Sequence, residues 1–266
     1  MRIVCVLSVL FLSFLLVQAD GPPDLEGLLD PSKDGLPEVK RNPVSREWEA
    51  VWAKDDNGQL EIAHATYRNG VWTGVFITGT PENETRPRLA FDSFGDTIIT
   101  WESAKTLPEV YATIKGSISQ SYLPRVRLSN PTRISHLPDV AVLDDVIFIV
   151  YEVIDPDGRM NILMHHSTDD PSDRPAGGSD PIDVGRILVQ NDKTSATANT
   201  YPRLHVQQGK LWLTWIQSEV ELGYQVWLGQ ELSSPATVRY GHSRDLEDAL
   251  EEVREIVLGQ EEDDDD

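Results

Sequence analysis

Along residues 35–241 the apolar positions come in short runs of β character, broken by turn residues, and the runs recur in one register. The register opens on Leu36-Pro37-Glu38-Val39, Arg86-Pro87-Arg88-Leu89, Leu137-Pro138-Asp139-Val140 and Tyr201-Pro202-Arg203-Leu204, each a proline followed by a charged and then an aliphatic residue. A large aromatic comes next, at Trp52, Trp101, Tyr151 and Trp215. A polar residue before an aliphatic one completes the set, at Glu61-Ile62, Glu109-Val110, Asn161-Ile162 and Gln225-Val226. Three anchors in a fixed order, four times over, define tandem repeats of about 50 residues.

Each repeat reads locally as strands. Proline suits the first residue of a strand, where its missing N–H leaves the ladder intact. Turns follow at Asn42-Pro43, Ser93-Phe94-Gly95-Asp96, Asp144-Asp145 and Gln208-Gly209-Lys210, all rich in residues that favour turn geometry. Second strands are predicted over 48–53, 97–102, 146–153 and 211–217. The stretch 146–151, Val-Ile-Phe-Ile-Val-Tyr, is apolar without alternation, which implies cover on both faces. Asp55-Asp56-Asn57-Gly58 and Asp155-Pro156-Asp157-Gly158 signal tight hairpins. Third strands follow over 60–67, 109–115, 160–166 and 224–229, and weaker fourth strands over 71–78, 122–128, 187–190 and 236–240. The pattern is that of an all-β chain, a β-propeller of about four four-stranded blades, in which stacked neighbours cover both faces of each sheet. Such a ring closes either within one chain or by pairing two chains as a homodimer.

These repeats resemble the secreted sialidase-like (BNR-type) propeller repeats, with their Pro-x-aliphatic start, Gly-containing turn and Trp late in the second strand. The nearest stretch is Thr85-Arg86-Pro87-Arg88-Leu89-Ala90-Phe91-Asp92-Ser93-Phe94-Gly95-Asp96 with Trp101. The Ser-x-Asp-x-Gly-x-Thr-Trp box of that family is absent, and the count is four blades where its enzymes have six. The resemblance therefore implies the fold more than the activity.

The flanks are of other kinds. Arg2, an apolar run over 3–17 and Val17-Gln18-Ala19 predict a signal peptide, 1–19, too short to span a bilayer that needs roughly 20 apolar residues. Export follows as the expectation, to the periplasm or outside the cell, with no membrane insertion after cleavage. The lone cysteine, Cys5, lies in this leader, so the mature chain is expected to rely on its core instead of disulfides. Residues 20–34 form an N-terminal extension, and 167–185, rich in Asp, Pro and Gly, a long loop. Leu246, Leu250, Val253 and Val257, with Ser243 as N-cap and Gly259 as stop, predict one C-terminal amphipathic helix over 242–259, followed by a disordered acidic tail, 260–266. The charge balance, 44 Asp plus Glu against 23 Lys plus Arg for a net −21, argues against nucleic acid as a partner.

The residues after the repeat prolines, Glu38, Arg88, Asp139 and Arg203, alternate in sign. If the innermost strands face a common axis, they form either a salt-bridge collar or a polar ligand site. Arg86 and Tyr201, two residues earlier on the same strand face, would join the latter. Arginines suit bidentate recognition of a carboxylate, so the candidate ligand is an acidic sugar or a C-terminal carboxylate. Other groupings are less specific. Asp155, Asp157 and Asn161 are spaced loosely like a calcium loop but read first as a turn. His165 and His166 point to opposite faces and cannot grip one metal ion. Glu102 and Glu152 follow the repeat aromatic in adjacent blades, as a carboxylate pair for glycoside hydrolysis would. Asn83-Glu84-Thr85 matches a glycosylation sequon. No nucleophile elbow, zinc-helix motif or phosphate-binding glycine loop is present, and no cofactor is implied. The sequence thus reads as a secreted, non-catalytic propeller that binds a protein or a glycan. The rivals are a sialidase-type glycan-active enzyme, marked by convergence of Tyr201, Arg86, Arg88 and Glu152, and an envelope-assembly scaffold using the residues from 243 onward.

Overall fold

The computed structural model describes residues 21–25, 27–156, 158–167, 184–189, 197–219 and 224–231, of which 184–189, 197, 217–219 and 224–231 are described by their backbone alone. The leader and its cleavage site, the loop interior, the expected strand 236–240, the C-terminal helix and the acidic tail lie outside the described residues.

Among the described residues fifteen strands form four antiparallel sheets in chain order. Blade 1 holds β1 (Glu38–Arg41), β2 (Trp48–Asp56), β3 (Gln59–Arg68) and β4 (Val71–Phe76). Blade 2 holds β5 (Glu84–Phe91), β6 (Thr97–Ser103), β7 (Glu109–Lys115) and the two-residue β8 (Val126–Arg127). Blade 3 holds β9 (Ile134–Leu143), β10 (Val146–Ile154), β11 (Met160–Ser167) and β12 (Val184–Val189). Blade 4 shows β13 (Thr197–Gln207), β14 (Lys210–Glu219) and β15 (Tyr224–Glu231). Each sheet runs up and down from an innermost strand outward, so the chain is an all-β propeller. The hairpin between β2 and β3 turns at Asn57 and Gly58, with φ of 57° and 92°, the doubly left-handed turn that an Asn-Gly pair supplies at least cost.

The proline does not open its strand. Pro87, Pro138 and Pro202 lie inside β5, β9 and β13, and each of these pairings shifts register there. A bulge leaves one residue outside the ladder, so the missing N–H breaks no ladder bond. The residue before each proline takes the left-handed conformation, with φ of 52° at Arg86, 51° at Leu137 and 54° at Tyr201. For non-glycine residues this costs of order 1–3 kcal/mol each. Only Pro37 precedes its strand.

The core consists of layers between blades. Val51, Ala53 and Ile62 of blade 1 meet Leu89, Ile99 and Trp101 of blade 2. Ile98, Val110 and Ala112 of blade 2 meet Val140, Ile149 and Tyr151 of blade 3. Val150, Ile162 and Met164 of blade 3 meet Leu204, Leu213 and Trp215 of blade 4. The repeat aromatic of blades 2, 3 and 4 therefore faces the preceding blade. Trp52 of blade 1 meets no other sheet among the described residues, and Leu25, Leu28 and Leu29 of the N-terminal extension cover it. That segment is pinned by Lys54 Nζ on Leu28 O at 2.6 Å and Trp72 Nε1 on Asp24 O at 2.9 Å. Gly35 then closes onto blade 1, its N–H 2.7 Å from Ala53 O, where an added Cβ would sit 3.2 Å from that of Ala53.

The buried indoles of blades 2 and 4 bring polar partners with them. Trp101 Nε1 donates to Glu84 Oε2 at 2.8 Å and Trp215 Nε1 to Asn199 Oδ1 at 3.2 Å. Glu84 and Asn199 occupy the same place, three residues before the repeat proline. Trp101 is fully buried, so Trp101→Ala should lose about 3–5 kcal/mol of unfolding free energy. Urea denaturation of the two proteins measures this, and a much smaller loss would contradict the inter-blade role of the aromatic.

Candidate functional site

The inner edge of each innermost strand faces the propeller axis and carries backbone N–H groups that no further strand can pair, a requirement that buried edges must meet. Two of the sequence-predicted residues meet it. Glu38 Oε2 accepts the N–H of Leu89 at 2.6 Å, from blade 1 to blade 2, and Asp139 Oδ2 accepts the N–H of Leu204 at 2.8 Å, from blade 3 to blade 4. The amides served are those just after Arg88 and Arg203, so each acid is drawn toward an arginine of the neighbouring blade.

The second oxygens face cations. Glu38 Oε1 lies 2.9 Å from Lys40 Nζ, which also donates to Leu89 O at 2.7 Å. Asp139 Oδ1 lies 3.9 Å from Arg88 Nε, a loose pairing. Arg203 donates to Pro202 O at 2.9 Å and senses Asp139, Arg88, Glu38 and Arg86 electrostatically. Five of the six residues predicted from the sequence thus gather at the axis: Glu38, Arg86, Arg88, Asp139 and Arg203. The sixth, Tyr201, stands at the strained position of blade 4 equivalent to Arg86 in blade 2, half exposed.

Burial shapes the charge here. It pushes the Asp139 carboxyl above its usual 3.8, against the opposing pull of the Leu204 N–H, Arg203 and Arg88. It also presses Arg203 below the ordinary guanidinium value, with Asp139 pulling the other way and Arg88 adding repulsion. His205, two residues on from Arg203, is lowered by burial, opposed by Asp139.

A second shelf lies at the mouth. Arg86 Nη1 donates to Glu102 Oε2 at 2.8 Å, and the other oxygen of Glu102 is 3.2 Å from His136 Nδ1. Burial would raise Glu102, but His136 and Arg86 outweigh it and hold its carboxyl below the usual range. Glu152 accepts the hydroxyl of Thr200, next to Tyr201. Glu102 and Glu152 are thus both buried and both engaged by neighbouring blades. Arg86 nevertheless keeps about half of its side chain in solvent.

The remaining candidates have structural partners. Asp155 pairs with Arg133 at 3.1 Å and accepts from Asn161 Nδ2 at 3.0 Å, while Asp157 lies outside the described residues. His165 is buried and bonds Tyr151 Oη at 2.7 Å, whereas His166 on the opposite face is partly exposed. Asn83 Oδ1 accepts the Leu60 N–H at 2.9 Å. Sequence reasoning missed Lys40, His136 and His205. Lys40 and His205 had a signal, since they fall two residues after Glu38 and Arg203 on the same strand face.

No family model matches the chain, and no curated protein sequence does either. Solved structures do. A Hadza microbial sialidase aligns with TM-score 0.55 at 10% identity, over 80% of this chain and 47% of its own. The Trypanosoma rangeli sialidase in complex with sialic acid aligns with TM-score 0.52 at 11% identity, over 78% of this chain and 37% of its own. A thermostable family-43 glycoside hydrolase aligns with TM-score 0.50 at 12% identity, over 79% and 75%. This chain therefore spans about half the length of the first sialidase. At such identities the likeness is one of fold, a sialidase-like propeller.

Asp139 gives the cluster a pH signature. An acid whose pKa is raised on folding costs stability when ionised; the cost is absent below the unfolded value and grows as pH rises through the folded one. Asp139→Asn keeps an acceptor for the Leu204 N–H and has no charge to ionise. The stability of the variant relative to the parent should therefore rise with pH above about 4 and then level off, as read from urea midpoints across a pH series. A relative stability that falls over that range would contradict the burial-driven shift.

Proposed function

We propose that the axial mouth recognises the carboxylate of an acidic glycan. The observation that carries this reading is a local excess of positive charge in a protein of net charge −21. Lys40, Arg86, Arg88 and Arg203 converge on Glu38, Asp139 and Glu102, and burial moves Asp139 toward its neutral form. Arg86 and Arg88 keep exposed guanidinium surface, and the planar fork of arginine matches a carboxylate with two parallel hydrogen bonds. Tyr201 adds an exposed ring at the rim for the apolar face of a sugar. Export on the predicted leader would bring the protein to the compartment where such glycans occur.

A second reading, hydrolysis of the same ligand, is favoured by Asp139. A carboxyl whose proton burial holds more tightly, beside an arginine, has the character of a general acid. The similar structures are sialidases and a glycoside hydrolase, which supports a glycan-directed reading.

Calorimetry with sialyl-lactose and with a glucuronate-terminated oligosaccharide, each against its neutral counterpart, tests the first reading. Binding of an acidic sugar should weaken about tenfold or more in Arg88→Ala/Arg203→Ala and should fade with added salt. Equal affinity for the neutral sugars, or binding indifferent to both substitutions, would overturn it. Release of the terminal sugar by the parent but not by Asp139→Asn, with binding retained, would carry the hydrolytic reading; its absence leaves a binding protein.

A further inference from the structure

A cavity of about 350 Å3 opens away from the axis, in the outer crevice between blades 1 and 2. His64, Thr66 and Arg68 of β3 and Thr73 of β4 form one wall; Lys115 at the end of β7 and Tyr122 beyond it form the other. Its polar groups are set by a buried chain of contacts. Glu49 accepts from three buried donors, Asn42 Nδ2 at 3.1 Å, His64 Nε2 at 2.8 Å and Thr97 Oγ1 at 2.8 Å. A carboxylate can only accept, so His64 Nε2 carries the proton, and Nδ1 accepts the Tyr122 hydroxyl at 2.7 Å. Burial pushes the Tyr122 phenol well above its usual value, and burial likewise lowers His64, keeping the imidazole neutral.

Lys115 is the group this arrangement leaves short. Its side chain is 9% exposed, yet the nearest acceptors of its three N–H donors are Thr66 Oγ1 at 3.4 Å and Glu49 Oε2 at 3.7 Å. A buried ammonium with long contacts is costly unless a further acceptor meets it. The cavity lies where that acceptor would sit. Arg68 at the mouth is already paired with Glu47 by two bonds, so the site offers one ammonium that is only loosely engaged, by Glu49 at 3.7 Å. A single carboxylate matches it, whereas a dianion would be repelled by Glu49 behind the lysine.

We propose that this crevice is a second binding site, taking a small monocarboxylate whose anionic group rests on Lys115 and Thr66 and whose carbon skeleton lies between Val75 and Tyr122. It is independent of the axial site and stands whether or not that site binds a glycan.

The test is a titration followed by amide NMR, with acetate, D-glucuronate and inorganic phosphate as the probes. Acetate or glucuronate should shift the signals of Thr66, Thr73 and Gln120 saturably, and should do so equally in Arg88→Ala/Arg203→Ala. Lys115→Met should weaken the titration at least about tenfold. Thr73→Val, on the exposed outer strand, should weaken it severalfold and serves if Lys115→Met does not fold. Unmoved lining signals, shifts that persist unchanged in the folded lysine variant, or tighter binding of phosphate than of either carboxylate would each overturn the proposal.

Discussion

A blade of four strands has two apolar faces and cannot cover either by itself, so every sheet in this chain depends on what is laid against it. Three layers between consecutive blades answer that need, and each is centred on an aromatic turned toward the blade before it. Burying a large aromatic gains several kcal/mol only where the cover is complete and the indole N–H has a partner. Glu84 and Asn199 supply that partner for Trp101 and Trp215. The same constraint explains the N-terminal extension. Among the described residues no sheet lies against the outer face of blade 1, and a short segment led by three leucines takes the place of a blade at Trp52.

Stacking sheets about an axis creates a second demand at their inner edges. Backbone amides there point at the centre, and the acids that follow two of the repeat prolines answer them across the blade boundary. Using one carboxylate oxygen for structure leaves the other to meet Lys40 or Arg88. Charge at the axis is therefore a by-product of closing the sheet edges. Its balance is tilted toward the positive by the burial of Asp139. Architecture and the proposed recognition draw on the same atoms, which is why a glycan-binding role can be argued without any motif for it.

Much of this was legible in the sequence because strong, periodic signals produced it. The proline and aromatic registers located four sheets, and the second and third strands fall within a few residues of their predicted spans. Glu38, Arg88, Asp139 and Arg203 lie within electrostatic reach of one another, since position after a repeated proline fixes position about the axis. Other features came from contacts that no local pattern encodes. The bulge at Pro87, Pro138 and Pro202 was hidden because a proline at the start of a strand and one inside a bulge give the same residue order. His64, Glu49, Lys115 and Tyr122 meet across two blades from four separate stretches. The role of the extension needed knowledge of which face lacked a neighbour.

The left-handed residue before three of the prolines has a wider consequence. Its backbone is held by the bulge and the ring that follows, while its side chain is exposed at Arg86 and Tyr201 and partly buried at Leu137, three residues that differ in charge, size and shape. A position whose conformation is enforced by its neighbours and whose chemistry is unconstrained can be exchanged without redesigning the scaffold. The fold thereby carries a set of interchangeable fingertips, through which duplicated repeats could diverge toward new ligands while the framework stayed constant.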